Sequence, residues 1–74
     1  MRVTLYERVD CGLCAEAYEA LRRLRVEVDR VDVDRDDALR DRYTLRVPVL
    51  ARAGEELDAA GLEDGAIARW LAAP

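Results

Sequence analysis

Two cysteines three residues apart, between a predicted strand and a predicted helix, constrain this chain more than any other feature. Apolar and polar residues alternate over Val3–Tyr6, which predicts a strand. After a short break come Cys11 and Cys14, and apolar residues then recur every three or four positions to about Arg25, which predicts an amphipathic helix. Both sulfurs are therefore expected on one turn at the beginning of a helix, close enough to form and break a disulfide.

The position of this pair favours thiol chemistry. Unsatisfied amides and the positive dipole end at a helix N-terminus stabilise a thiolate, which is the nucleophilic form of cysteine. We expect Cys11 to be the exposed attacking thiol and Cys14, one turn further in, to be the resolving thiol. Asp10 is the expected N-cap, although a carboxylate beside the nucleophile disfavours the thiolate. Gly12 would allow close backbone approach by a partner.

The residue types that are missing narrow the chemistry further. The chain contains no His, Ser, Lys, Asn, Gln or Phe, so triad-type catalysis and His metal ligands are excluded. Thiolate formation at Cys11 must then depend on the helix N-terminus, and Arg8 could add a positive charge near the thiolate or near a carboxylate of a bound thiol. The alternative is that Arg8 is an ordinary solvated loop charge.

The rest of the chain is interpreted as alternating short elements. We predict a strand within Val26–Val33 whose core is Arg30–Val33, its beginning being an entry loop or bulge. The further predicted elements are a short helix from Asp34 and Asp37 through Leu39 and Tyr43, a strand Val47–Ala51, a strand around Glu56–Asp58, and a helix from about Leu62 to Ala72. The order β-α-β-α-β-β-α predicts one α/β domain over residues 1–74, with a four-stranded mixed sheet flanked by three helices.

Val47–Pro48 is the second informative element. A proline at the beginning of an inner strand has no amide to donate to its neighbour. A cis bond before Pro48 would explain it and would leave the N–H and C=O of Val47 free for a substrate chain. An ordinary trans proline on an edge strand is the alternative.

Charge and hydropathy limit the partners. The net charge of −4 without a basic stripe argues against nucleic acid and anionic membrane surfaces. No apolar run is long enough for a membrane span or a signal peptide. We therefore expect a cytoplasmic monomer, and in that reducing compartment a cysteine pair is more often catalytic or metal-binding than a structural disulfide.

Two other functions remain open for the same pair. The thiolates of Cys11 and Cys14 could supply half of a zinc or iron–sulfur site that a second chain completes, since one chain offers only two of the four soft ligands. A binding protein that has lost the redox reaction is the other alternative.

The order and spacing of several segments resemble the glutaredoxin branch of the thioredoxin-like fold, and in particular short bacterial glutaredoxin-like proteins. These segments are Val3–Tyr6, Cys11–Cys14, Arg30–Val33, Arg46–Leu50 and Ala68–Leu71. The resemblance implies dithiol–disulfide exchange with Cys11 attacking, a cis bond before Pro48, and a basic residue, here Arg8, that pairs with a carboxylate of glutathione. It implies no tightly bound cofactor, glutathione as a co-substrate, and a disulfide-containing protein or a small thiol as partner.

The chain departs from that family at the glutathione site. Glutaredoxins commonly have Pro-Tyr between the cysteines, where this chain has Gly12 and Leu13, and a Thr where it has Arg46. Asp64 is the nearest match to the acidic residue that holds glutathione. Leu13, Asp64 and the residues named above, Arg8, Gly12, Val47 and Pro48, are the predicted substrate-binding residues.

Overall fold

A computed structural model describes residues 1–74 and contains the predicted elements in the predicted order. The strands are β1 (Arg2–Glu7), β2 (Glu27–Asp32), β3 (Val49–Arg52) and β4 (Glu55–Asp58), and the helices are α1 (Gly12–Arg23), α2 (Asp37–Tyr43) and α3 (Asp64–Ala72). One 3-10 turn, Val33–Arg35, precedes α2. The prediction of a mixed four-stranded sheet with three helices is confirmed.

The sheet has the order β2-β1-β3-β4, so β1 lies inside it between a parallel and an antiparallel neighbour. Strand β1 runs parallel to β2, and its Tyr6 pairs with Val49 of antiparallel β3. The carboxyl end of β1 therefore lies at the same edge of the sheet as the beginning of β3. This edge carries both sequence features that point to function.

Alternation of side chains along the strands gives the sheet an apolar core on each face. On one face, Val3, Leu5 and Leu50 pack with buried residues of α1 and α3, among them Leu21 and Ile67. The opposite face holds a smaller cluster of Val33, Tyr43 and Val49. Neighbouring residues of one strand thus serve different clusters, since successive side chains point to opposite faces. The helices α1 and α3 cover one face, and α2 covers the other.

The predicted bulge in the second strand is wrong. Strand β2 pairs with β1 without interruption, from Arg2 opposite Glu27 to Glu7 opposite Asp32. Its apolar pattern was misleading because β2 is an edge strand that is mostly accessible to solvent. Backbone hydrogen bonds to β1 fix its register, and these do not require regular alternation.

Three other boundaries differ from the predictions. The acidic segment that was predicted to begin one helix forms two elements, because Asp36 is extended and its side chain caps α2 by accepting from the Leu39 amide at 3.0 Å. Strand β3 begins at Val49 rather than Val47, and α3 begins at Asp64 rather than near Leu62. The observed α3 places Gly65 in its first turn, where backbone freedom costs least.

Candidate functional site

Cys11 and Cys14 are joined by a disulfide in this structure, with their Cα atoms 5.2 Å apart. The sulfur pair spans the first turn of α1. Cys14 is 1% exposed and packed inside the protein, whereas Cys11 is partly exposed. The predicted difference in exposure is confirmed, and a molecule arriving from solvent meets the sulfur of Cys11 first.

Cys11 itself caps helix α1. Its backbone is extended, and its Sγ accepts a hydrogen bond from the backbone amide of Cys14 at 3.1 Å. The prediction of Asp10 as the N-cap is therefore wrong. Asp10 has a φ of 60°, and this left-handed turn places it one residue before the cap position. The sulfur of Cys11 thus occupies the position that a side-chain oxygen has in an ordinary N-cap. The N-terminal end of the helix favours negative charge at this position.

An open pocket of about 510 Å³ lies beside Cys11 at the carboxyl ends of β1 and β2. It is lined mostly by charged residues: Glu7, Arg8, Val9, Asp10, Cys11, Gly12, Ala15, Arg30 and Asp32. The guanidinium groups in it are paired. Arg8 donates to Asp34 at 3.0 Å, and Arg30 donates to both carboxylate oxygens of Glu7, at 2.7 and 3.1 Å, while lying over the ring of Tyr18.

The two residues between the cysteines are both exposed. Gly12 begins α1 and lines the pocket, and no other part of the protein comes within 4 Å of where its Cβ would be. Leu13 is 46% exposed and does not line the pocket. Both lie on the solvent side of the disulfide, where an approaching partner would contact them.

The loop before β3 reaches the same edge of the sheet. Tyr6, near the carboxyl end of β1, pairs with Val49, and Pro48 directly precedes Val49 at this end of the sheet. The Val47–Pro48 peptide bond is cis, and Pro48 is buried. The loop and the cysteine segment therefore lie at the same edge of the sheet, although Val47 comes 33 positions after Cys14 in the chain.

The prediction that Val47 has both backbone groups free is wrong for its amide. The N–H of Val47 donates to the carbonyl of Tyr43 at 3.1 Å, because the end of α2 turns directly into this loop. Its carbonyl accepts no backbone hydrogen bond. Val47 thus retains one backbone group, an acceptor, for an extended partner chain.

A buried tyrosine that sequence reasoning took only for a helix residue connects α2 with β4. Tyr43 is 3% exposed, its ring stacks on Tyr6 at 4.3 Å, and its hydroxyl donates to Glu56 at 2.5 Å. Arg46 donates to Glu56 at 2.9 Å and to Asp58 at 3.0 Å. The pKa of Tyr43 is raised to about 12. Burial of the hydroxyl is the largest cause, and its hydrogen bond to Glu56 is the second. The hydrogen bonds from Tyr43 and Arg46 lower the pKa of Glu56.

Asp64 lies apart from the pocket beside Cys11. Its carboxylate accepts from Arg23 at 2.7 and 2.9 Å, linking the end of α1 to the beginning of α3, and the hydrogen bond from Arg23 lowers its pKa. It lines a separate depression between these two helices. The role of Asp64 in substrate binding stays a prediction.

The structure contains no cluster of three or more Cys, Asp, Glu or His side chains arranged to hold a metal ion. None of its helices has the length and apolar character needed to cross a membrane.

Comparison with known proteins gives consistent matches over nearly the whole chain. The model of the family described as Glutaredoxin-like domain (DUF836) matches residues 2–72. The X-ray structure of the structural genomics target protein XcR50 from X. campestris is 45% identical, with a TM-score of 0.89 over 97% of this chain and 99% of that one. The glutaredoxin-like protein NrdH-redoxin from Escherichia coli is 27% identical, with a TM-score of 0.74 over the full length of both chains.

A glutaredoxin from Archaeoglobus fulgidus, at 16% identity and a TM-score of 0.71 over 96% of this chain and 86% of that one, shares the fold. No functionally curated protein matches the sequence. The mixed sheet, the cysteine pair at the beginning of α1 and these neighbours identify the fold as thioredoxin-like. With its family model spanning residues 2–72, the chain belongs to the glutaredoxin-like domain family.

Proposed function

We propose that this protein is a thiol–disulfide oxidoreductase whose reacting groups are Cys11 and Cys14. The observation that carries the proposal is the pairing of a partly exposed, helix-capping sulfur with a buried one that forms a disulfide with it. In the reduced protein, the Cys14 amide and the positive N-terminal end of α1 favour the thiolate of Cys11. Cys14 has almost no contact with solvent, so its natural target is the sulfur of Cys11.

The reaction transfers two electrons from the dithiol to a substrate disulfide. The Cys11 thiolate attacks one substrate sulfur, which forms a mixed disulfide and releases the other substrate sulfur as a thiolate that takes a proton from solvent. Cys14 then loses its proton and attacks the sulfur of Cys11, which releases the second substrate thiolate. The Cys11–Cys14 disulfide that remains is the state seen in this structure, and an electron donor must supply two electrons and two protons to it before another cycle.

The proposed electron donor is a reductase of the thioredoxin type rather than glutathione. NrdH-redoxin from Escherichia coli is described as a glutaredoxin-like protein with a thioredoxin-like activity profile. In this chain, the two charged residues suggested for glutathione are already paired, Arg8 with Asp34 and Asp64 with Arg23. Leu13 offers no aromatic ring between the cysteines. A glutathione molecule would have to compete with these ion pairs.

The proposed substrate is a disulfide-containing protein in a reducing compartment such as the cytoplasm. The free carbonyl of Val47 supports a polypeptide substrate, because an extended chain could donate an amide hydrogen bond to it beside Cys11. A small thiol has fewer amides with which to use this acceptor.

Insulin reduction with two alternative electron sources tests the proposal. The wild-type protein should reduce insulin with NADPH and thioredoxin reductase, and much more slowly with glutathione and glutathione reductase. Cys11→Ser should abolish turnover, whereas Cys14→Ser should accumulate a mixed disulfide that mass spectrometry detects. Full activity of Cys11→Ser would overturn the assignment, and faster turnover with glutathione would overturn the proposed donor.

A further inference from the structure

We infer that Glu56 is a positioning residue, which holds the Val47–Pro48 loop in the place where a substrate chain can bind beside Cys11. The inference rests on the proposed function and adds a residue of β4 to it. Glu56 makes no hydrogen bond to either cysteine and lies outside the pocket beside Cys11. Its effect would pass through Tyr43 and Arg46, the two ends of the turn that leads into this loop.

The first connection runs through Tyr43. Its carbonyl accepts the amides of Arg46, at 2.8 Å, and Val47, at 3.1 Å, so this one residue closes the turn that leads into Pro48. The ring of Tyr43 is fixed by stacking on Tyr6 and by its hydroxyl hydrogen bond to Glu56. The position of the turn therefore depends on contacts with both β1 and β4.

The second connection runs through Arg46, the residue before Val47. Its guanidinium donates to Glu56 and to Asp58, and its side chain is 37% exposed. Glu56 is thus the one side chain that joins both ends of the turn, accepting from Tyr43 and from Arg46. Charge-assisted hydrogen bonds of this kind are stronger and more directional than neutral ones.

Loss of this anchor should weaken substrate binding and leave the reactivity of the thiolate intact. The thiolate depends on the N-terminus of α1, to which Glu56 makes no hydrogen bond, whereas the Val47 carbonyl depends on the turn. Loss of positioning should raise the KM for insulin about tenfold in Glu56→Ala, with little change in kcat. Glu56→Gln keeps an acceptor for Tyr43 and should fall between Glu56→Ala and wild type.

The experiment compares insulin reduction with alkylation of Cys11 by iodoacetamide, a small reagent that needs no backbone partner. In Glu56→Ala the KM should rise while the alkylation rate of the reduced protein stays within about twofold of wild type. Glu27→Gln is the matched control, since it removes a carboxylate that pairs with Arg2 at 3.2 Å on the opposite edge strand. That variant should match wild type in both measurements.

Amide hydrogen exchange provides a readout that does not depend on activity. Exchange of the Val47 amide should accelerate in Glu56→Ala more than exchange of the Leu5 amide in the central strand, which reports general loss of stability. An unchanged KM would overturn the inference. A higher KM accompanied by much slower alkylation and by equal acceleration of exchange at both amides would also overturn it. A wild-type protein that reduces no disulfide would overturn the proposed function itself.

Discussion

The backbone amide of Cys14 donates a hydrogen bond to the sulfur of Cys11, at 3.1 Å between N and Sγ. One cysteine thus supplies the donor that stabilises charge on the other, while its own thiol is buried. The two cysteines have the same side chain, but in the fold one sulfur is partly exposed and accepts a hydrogen bond while the other is buried. Their different surroundings lead to the first prediction.

In the reduced protein, iodoacetamide should modify Cys11 faster than Cys14 by at least about tenfold, because the exposed sulfur lies at the positive end of a helix. Peptide mapping of partially alkylated protein would measure the ratio. In Cys11→Ser, the remaining Cys14 should stay slow, which shows that burial and not competition protects it. Equal rates at both cysteines would contradict the assignment of their roles.

Asp34→Asn should speed the reaction of Cys11 with an anionic disulfide such as oxidised glutathione. The substitution removes the carboxylate that now accepts from Arg8 at 3.0 Å, so the guanidinium would carry an unpaired charge next to the pocket. The rate constant should rise about threefold at low salt and less at high salt, since exposed charges are screened. Stopped-flow fluorescence would measure it.

The neutral hydroxyethyl disulfide and the variant Asp29→Asn provide the controls for that effect. Asp29 also pairs with an arginine, Arg2, which begins β1 at the other end from the cysteine segment. Because both ion pairs are exposed, each substitution should change the free energy of unfolding by less than about 1 kcal/mol. An equal acceleration with the neutral disulfide would show that Arg8 does not act through its charge.

Local patterns predicted the element order and the cysteine pair, because both depend on residues that are close in the chain. Alternation over Val3–Tyr6 and the helical spacing after Cys11 survive in the structure as β1 and α1. The N-cap was misassigned because Asp10 adopts a left-handed conformation, with a φ of 60°, and Cys11 is the extended residue before the helix. Aspartate is a good cap only where the backbone before the helix is extended.

Local sequence patterns could not predict contacts between residues that are far apart in the chain. Tyr43 and Glu56 are 13 residues apart in different elements, and their hydrogen bond depends on β4 lying beside β3. The amide of Val47 was predicted to be free because the sequence does not reveal that the carbonyl of Tyr43 lies beside it. The acceptor that remains at Val47 could be found only from the folded path of the chain.

Tyr43 should make the stability of the protein fall between pH 10 and pH 12. Its pKa rises from 10.0 to about 12 on folding, so the folded state favours the protonated hydroxyl. That contribution is fully present below pH 10 and is lost as the pH rises through the folded value, at about 1.4 kcal/mol for each unit of difference. Urea unfolding across this range would measure the loss.

Tyr43→Phe provides the comparison for this pH dependence. The variant keeps the ring on Tyr6 and lacks the hydroxyl that donates to Glu56, so it should be less stable at pH 8 by about 1–3 kcal/mol. The gap between the two proteins should narrow as the pH approaches 12, because wild type then loses the same hydrogen bond. Stability curves that stay parallel would contradict the assigned pKa shift.

Gly12→Ala should separate a structural role of this glycine from a role in substrate approach. Gly12 begins α1 without a positive φ, and a Cβ there would meet no atom within 4 Å. Alanine should therefore stabilise the protein by about 0.5–1 kcal/mol, mainly by restricting the unfolded chain. If a partner must approach the backbone beside Cys11, the same methyl group should raise the KM for insulin.

Gly65→Ala is the matched control, because Gly65 also lies in the first turn of a helix and its Cβ would make only an ordinary contact, 3.5 Å from Arg69. This variant should gain similar stability, measured by urea unfolding, and leave insulin reduction unchanged. If Gly12→Ala matches it in both measurements, the glycine between the cysteines serves no purpose in substrate approach. A rise in KM confined to Gly12→Ala would instead place the partner against the first turn of α1.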